Sequence, residues 1–179
     1  ELHDLLLRAG DLSAGELAGR AADLGQVASW LEELERERRA LSLPVGGEPR
    51  WIAAEDAGLY RDALGCVPPA GLPADCLAAP EQPLEALLRR FARGRGPFAT
   101  RRAAERYGLT AALVEPTLRA LEARGELVLG ALRPEGSELE WCDAEVVVVD
   151  DGSTDETIRS VRDFIAEHPE FAEKLRLHE

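Results

Sequence analysis

The chain has 179 residues, a net charge of −13 at pH 7 and three cysteines. This acidic balance argues against nucleic-acid binding over the whole surface, and scattered cysteines without a Cys/His cluster argue against a disulfide framework or a zinc site. Because no apolar run reaches the roughly 18 residues of a membrane span, we expect a cytoplasmic protein without a bound metal and without a membrane partner.

The first part of the chain predicts three helices followed by a β-hairpin. The first helix is Leu-rich and runs from Leu2 to Ala9, and the third runs from about Gly25 to Ala40. Between them, Ser13 and Glu16 have the spacing of a capping box. A hairpin from Leu41 to Ile52 follows. This order is that of a winged helix, in which the third helix can enter a groove and the hairpin forms the wing.

The same layout recurs further along the chain. A Leu-rich helix from Leu84 to Arg93 precedes a helix that we expect Thr100 to cap, a third helix from Ala111 to Arg124 and a second hairpin from Leu127 to Trp141. Pro116 falls inside that third helix, so the helix either loses a backbone hydrogen bond there or begins near the proline.

The two copies are related by a nearly constant offset. Leu31 precedes Leu118, and Leu34 precedes Leu121, by 87 residues. A constant offset at several anchors indicates a duplicated unit. The predicted fold class is mainly α with small β-hairpins, as tandem winged-helix domains plus a short α/β fragment. The predicted segments are a first winged-helix domain, a Pro-rich linker, a second winged-helix domain and an incomplete α/β fragment, at residues 1–65, 66–83, 84–143 and 144–179.

A basic stretch suggests a contact surface for DNA, single- or double-stranded. Residues 83–108 hold seven arginines against two glutamates. Arginines that contact phosphates give an affinity for DNA that weakens as salt is added, and such contacts carry no sequence information. The candidate phosphate contacts are Arg101, Arg102, Arg119 and Arg133. The alternative is that both winged helices only pack within a larger machine, and the early glutamates in the third helix of the first copy favour that alternative for the first copy.

The segments WLEELERERRAL, GEPRWIAAEDAGLYRDALG and EWCDAEV resemble the Lhr (large helicase-related) family over about residues 1–146. The resemblance implies a winged-helix part of a bacterial ATP-dependent DNA helicase that acts in repair, with ATP and Mg²⁺ bound by motor domains. The chain contains no G-x-x-x-x-G-K-[ST] loop, so we do not expect it to hydrolyse ATP by itself. Related tandem winged helices occur in DNA glycosylases. The pair Arg101-Arg102 and Pro116 depart from the family pattern, which tends to be acidic after the threonine.

The chain changes character at Val146, where a β-branched strand leads into VVVVDDGSTDET. This motif resembles the nucleotide-binding start of family 2 glycosyltransferases over about residues 145–179. The resemblance implies that Asp150 recognises the nucleotide of a nucleotide-sugar and that Asp151 and Ser153 support the turn. The rest of such a transferase is missing, so no catalytic residue is assigned. The join is either a real gene fusion or truncation, or a mis-joined gene model, and we favour the second.

Overall fold

The computed structural model describes residues 1–20, 24–132, 138–144, 146–149 and 175–178. Over these ranges the chain forms two successive units of three helices and a hairpin, followed by a pair of short strands. The predicted fold class, mainly α with small β-hairpins in tandem winged helices, is confirmed. The predicted segment boundaries stay predictions.

The first unit contains α1 (Leu2–Ala9), α2 (Ala14–Ala18), α3 (Leu24–Arg36), β1 (Ala40–Val45) and β2 (Glu48–Ala53). A 3-10 turn at Ala54–Asp56 leads into α4 (Ala57–Leu64), and a second 3-10 turn lies at Ala74–Leu77. The second unit contains α5 (Pro83–Arg93), α6 (Thr100–Tyr107), α7 (Ala111–Ala123), β3 (Leu127–Gly130) and β4 (Glu140–Asp143). Strands β5 (Val146–Val149) and β6 (Leu175–His178) pair in parallel, so the strand expected at Val146 is present.

Equivalent backbone contacts show the duplication directly. Leu12 exchanges two backbone hydrogen bonds with Trp51, and Phe98 exchanges the same two with Trp141, at 2.8–2.9 Å. The paired leucines predicted from the offset are buried in both copies, at 4% and 0% exposure for Leu31 and Leu118. Each hairpin is therefore extended by a third, single-residue strand from the loop after the first helix.

Both third helices end at a residue with positive φ, but that residue differs between the two copies. In α7 the chain turns at Gly125 with φ 70°, and the Glu126 amide donates to the Leu121 carbonyl at 3.0 Å. In α3 the equivalent turn is Arg38 with φ 58°, so the helix stops at Arg36 and not near Ala40 as predicted. A left-handed residue closes many helices and is usually glycine, which explains why the first end was missed.

The capping predictions were right for one copy and wrong for the other. Ser13 and Glu16 form the predicted box, since the Ser13 hydroxyl accepts from the Glu16 amide and Glu16 accepts from the Ser13 amide, at 3.1 and 2.8 Å. Thr100 caps nothing, because α6 already begins there. Its hydroxyl instead accepts a hydrogen bond of 2.8 Å from the Trp141 indole.

Pro116 lies inside α7, which starts at Ala111, so the interpretation with a later helix start was wrong. The proline removes the amide that would bond to the Ala112 carbonyl. Both residues are exposed, and water can therefore satisfy that carbonyl. The opposite face of the helix buries Val114 and Leu118 completely.

The first hairpin is seated on the second unit. Its two-residue turn consists of Gly46 and Gly47, both with positive φ, at 61° and 84°. This conformation belongs to a type I′ turn and favours glycine. A methyl group built on Gly46 would lie 2.3 Å from the Arg106 carbonyl oxygen in α6, whereas Gly47 has nothing within 4 Å. Gly46 therefore packs against the backbone of α6, whereas Gly47 does not.

One hydrophobic core spans the contact between the units. It combines residues of the first hairpin and α4 with residues of α5, α6 and α7, including Val45, Tyr60, Phe91 and Leu118. A smaller core inside the first unit contains Leu6, Leu17 and Leu31. The first wing is thus partly a core element of the tandem.

The turn offers a matched pair of substitutions. We expect Gly47→Ala to lower the free energy of unfolding by about 1–2 kcal/mol, because it imposes only the strain of a positive φ. Gly46→Ala adds a backbone clash with α6, and we expect a further loss of about 1–3 kcal/mol. Urea denaturation of both variants measures the difference, and equal losses would show that the tip does not rest on α6.

Candidate nucleic-acid interface

The predicted pair Arg101 and Arg102 opens α6 and is exposed to solvent. The Arg101 side chain is 68% exposed, and its guanidinium lies 3.0 Å from Glu138, which precedes β4 in the second hairpin. For Arg102 the described residues supply no ion pair. Both arginines lie in the first turn of α6, shortly after the buried residue Phe98, and both face solvent.

Arg119 lies on α7 but is already engaged. Its guanidinium is 3.0 Å from Glu122 and 3.8 Å from Glu115. It also lies over the ring of Trp141, 5.1 Å from the centroid. Since the side chain is 48% exposed, it can reach a phosphate only by giving up contacts that two carboxylates and an aromatic ring provide.

The exposed start of α7, which could enter a groove, lacks side chains suited to recognising base edges. Thr110, Ala111 and Ala112 are exposed at its start, and Leu113 is 59% exposed. Specific reading of base edges needs long side chains with paired donors and acceptors. Arg133, which the sequence predicts at the turn of the second hairpin, lies outside the described residues, as do Asp150, Asp151 and Ser153 of the tail.

Most of the basic stretch is used inside the protein. Arg90 holds Asp56 through two hydrogen bonds, and Arg89 holds Glu85 and Glu126. Hydrogen bonding from Arg89 and then from Arg124 lowers the pKa of Glu126 to about 2. Five of the seven arginines, at positions 89, 90, 93, 95 and 106, therefore join different elements together. The basic stretch is thus not one solvent-facing patch.

A buried network of charges joins the two units, and sequence reasoning missed it. Arg106 of α6 donates to Glu16 of α2 at 2.9 Å, and its Nε lies 2.9 Å from the Asp11 carboxylate. Arg50 of β2 approaches the same two acids at 3.0 and 3.7 Å. The Asp11 side chain is only 2% exposed. The Tyr60 hydroxyl donates to it at 3.1 Å and accepts from its amide at 2.8 Å.

The repeat contained one signal for this network. Leu12 and Phe98 form the equivalent bridges and lie 86 residues apart. Asp11 therefore corresponds to Pro97, and the carboxylate exists in one copy only. Breaking a buried pair by removing one partner is costly, because it strands the other charge. The network therefore fixes the order in which the two similar units meet.

Glu16 is the most strongly shifted acid of this network. Partial burial alone raises the pKa of Glu16, but the hydrogen bonds from Arg106 and from the Ser13 amide outweigh it and bring the pKa to about 2. For Asp11 burial dominates and raises the pKa, although Arg106 and Arg50 counter it. Glu16 therefore carries a full negative charge at neutral pH, where it anchors both arginines.

Other kinds of site find no support in the described part of the chain. No group of three or more His, Cys, Asp or Glu residues there could hold a metal ion. The three cysteines are free thiols. No helix among the residues that the structure describes is long and apolar enough to cross a bilayer.

Comparison with known proteins identifies the relatives of this chain. Residues 1–79 match the family described as large helicase-related protein, winged-helix domain. The chain is similar to the Lhr helicase/probable uracil glycosylase of Mycolicibacterium smegmatis, with 36% identity over 146 residues, which cover 82% of this chain and 10% of that protein. It is also similar to the Lhr helicase/uracil glycosylase of Escherichia coli, with 33% identity over 69% of this chain and 8% of that protein. The chain thus spans about a tenth of the length of these relatives.

The pKa of Glu16 predicts a pH-dependent contribution to stability. A carboxyl whose pKa falls from 4.5 to about 2 on folding stabilises the fold above the higher value and loses this contribution as the pH falls through the lower one. We expect Glu16→Gln to lower the free energy of unfolding at pH 7 by about 1–2 kcal/mol, since solvent screens part of the interaction. Urea denaturation of both proteins from neutral to acidic pH measures the difference in their free energies of unfolding, which we expect to shrink as the pH falls.

Glu32→Gln is the matched control, because Glu32 is exposed on α3 and has no ion pair among the described residues. We expect its effect to stay within about 0.5 kcal/mol at every pH. A loss in Glu16→Gln that is the same at pH 7 and near pH 2 would contradict the electrostatic role of Glu16.

Proposed function

Because the chain belongs to the winged-helix region of the Lhr family, we propose that it binds the phosphate backbone of DNA as a module of an Lhr-type helicase. In this proposal the second unit contacts DNA and the first unit braces it. The phosphate contacts are Arg101 and Arg102, with Arg119 and Arg133 as further candidates on the same unit.

The exposure of Arg101 and Arg102 at the start of α6 carries this proposal. Within the basic stretch five arginines pair with acids of other elements. The pair at the start of α6 faces solvent, and its one described partner, Glu138, is itself 50% exposed. An ion pair at such a surface is worth little, so a phosphate can replace Glu138 at small cost.

The first unit is suited to bracing. The tip of its hairpin is covered by α6, so this wing cannot also lie along a duplex. Its third helix exposes Glu32, Glu33 and Glu35, which would repel phosphates. A rigid first unit, tied on by Arg106, holds α6 and α7 in a fixed orientation for the DNA.

The proposed binding is independent of sequence. Phosphate contacts give affinity and register, whereas base contacts give specificity. The start of α7 offers Thr110 and two alanines, and Glu115 next to them disfavours close approach to the backbone. We therefore propose that sequence choice, if the parent enzyme has any, comes from elsewhere.

Both relatives are named as a helicase combined with a uracil glycosylase, and both activities act on nucleic acid. From this similarity we propose that the present chain works beside motor domains that bind ATP and Mg²⁺, in a repair enzyme of the cytoplasm. Our proposal gives the chain itself no catalytic step and no cofactor. Its contribution is to hold the strand on which the motor acts.

Charge reversal at the α6 pair tests the proposal. We expect the double variant Arg101→Glu, Arg102→Glu to bind labelled single-stranded and duplex oligonucleotides at least tenfold more weakly at about 50 mM salt. Two lost phosphate contacts should also reduce the slope of log K against log salt by about 2. Fluorescence anisotropy from about 50 to 200 mM salt gives both quantities.

The control is the double variant Arg8→Glu, Arg36→Glu, which changes the net charge equally on exposed positions of the first unit. We expect a smaller loss of affinity and an unchanged salt slope. A wild-type chain that binds neither oligonucleotide at low salt would establish the alternative, in which both winged helices only pack.

A second candidate function is favoured by the parallel pairing of β5 with β6, in register from Val146 with Leu175 to Val149 with His178. A parallel pair after a helical domain is typical of the start of an α/β unit. It supports the proposal that the tail derives from a family 2 glycosyltransferase and binds a nucleotide-sugar through Asp150, Asp151 and Ser153. A chimeric chain of this kind keeps nucleotide affinity without transfer chemistry.

Calorimetric titration with a uridine diphosphate sugar tests this second candidate. Measurable heat that disappears in Asp150→Ala but persists in Asp155→Ala would support it, because only Asp150 has the position in the sequence that the transferase motif assigns to the nucleotide. Absence of heat with the wild-type chain at millimolar ligand would remove it. The result is independent of the DNA measurements, since the variants lie in different parts of the chain.

A further inference from the structure

A cavity of about 420 Å³ lies beside α3 of the first unit, away from the arginines of α6. Its lining combines the apolar side chains of Leu2, Trp30 and Leu34 with the acids Glu1, Glu33 and Glu37. The ring of His3, which is hydrogen-bonded to Glu55, and the guanidinium of Arg39, which is paired with Glu37, complete it. Leu34 is buried, at 8% exposure. The cavity therefore combines an apolar surface with carboxylates, and nothing in the proposed DNA contact uses it.

Trp30 is the largest side chain that α3 leaves in solvent, at 42% exposure. An indole buries more apolar area than almost any other side chain, so leaving it exposed forgoes stability. Tryptophan is enriched where proteins meet partners. The other two tryptophans, Trp51 and Trp141, pack into the hairpins, so the exposure of Trp30 is specific to this face.

The charges around Trp30 select the sign of a ligand. Glu33 is three residues further along α3, on the same face of the helix, and has no ion pair among the residues described. Glu37 is already held by Arg39 at 3.4 Å. A free carboxylate beside an exposed indole attracts a cation, which can lie over the ring and pair with the carboxylate at once. The same carboxylate repels a phosphate backbone.

We propose that this cavity binds a protein segment in which an arginine or lysine neighbours an aliphatic residue. The cation lies over the Trp30 ring and pairs with Glu33, and the aliphatic side chain contacts Leu34 and Leu2. The site is a docking surface for a protein partner, separate from the surface that contacts DNA.

Short blocked peptides of alternating sequence test this proposal on the full chain. The probe alternates arginine with leucine, and the control peptide alternates glutamate with leucine, so both offer the same apolar surface. We expect the arginine peptide alone to bind, by calorimetry, and to shift the Trp30 indole N–H signal in the NMR spectrum without moving that of buried Trp141.

Variants on α3 locate the binding. We expect Trp30→Ala to weaken binding fivefold or more and Glu33→Gln to weaken it two- to fivefold, as a cation–π contact and an exposed ion pair imply. Glu35→Gln is the control, because Glu35 is exposed on the same helix but does not line this cavity. Its affinity should equal that of the wild type.

Four results would overturn the proposal. They are equal binding of the glutamate peptide, undiminished binding in Trp30→Ala, movement of the Trp30 signal by an oligonucleotide, and movement of that signal on raising the protein concentration alone. The third result would make α3 a nucleic-acid surface, and the fourth would make this face a contact between copies of the chain.

Discussion

The tandem depends on the approach of Arg106 to Asp11 and Glu16. This guanidinium lies on the second unit, both acids lie on the first, and the Asp11 side chain is almost fully enclosed. Each charge is tolerated only because the others are present. The same residues take part in the other contacts between the units, since the turn of the first hairpin meets the Arg106 backbone and Tyr60 donates to Asp11. Two similar units thereby become one body with two unlike faces.

The duplication explains the repeated architecture, and the differences between the two copies underlie the different roles proposed for them. Both copies keep the bridge between the first loop and the hairpin, and both close the third helix with a left-handed residue. They differ at Asp11 and Pro97, and in the number of acids exposed on the third helix, since α3 exposes Glu32, Glu33 and Glu35 and α7 exposes Glu115. The first copy supplies the acids of the junction. The second supplies Arg106 and the two exposed arginines at the start of α6.

The sequence predicted much of the fold, because the signals that set local structure are local. The capping box at Ser13, the helical spacing of the buried leucines and both hairpins were predicted correctly. The end of α3 was missed because Arg38 occupies a position where glycine is the usual signal. The charge network was missed because Arg106 and Glu16 are ninety residues apart, and no spacing links them. A charge count could not show which arginines of the basic stretch fold inward.

Pro116 has a consequence for what holds α7 together. The proline removes one backbone hydrogen bond from a helix of 13 residues, which is close to the roughly 12 residues that an isolated helix needs in water. Backbone bonding alone therefore gives this helix little stability. The burial of Val114, Leu118 and Leu121 in the shared core supplies what the backbone lacks, so the helix owes its place to the tandem and not to its own sequence propensity.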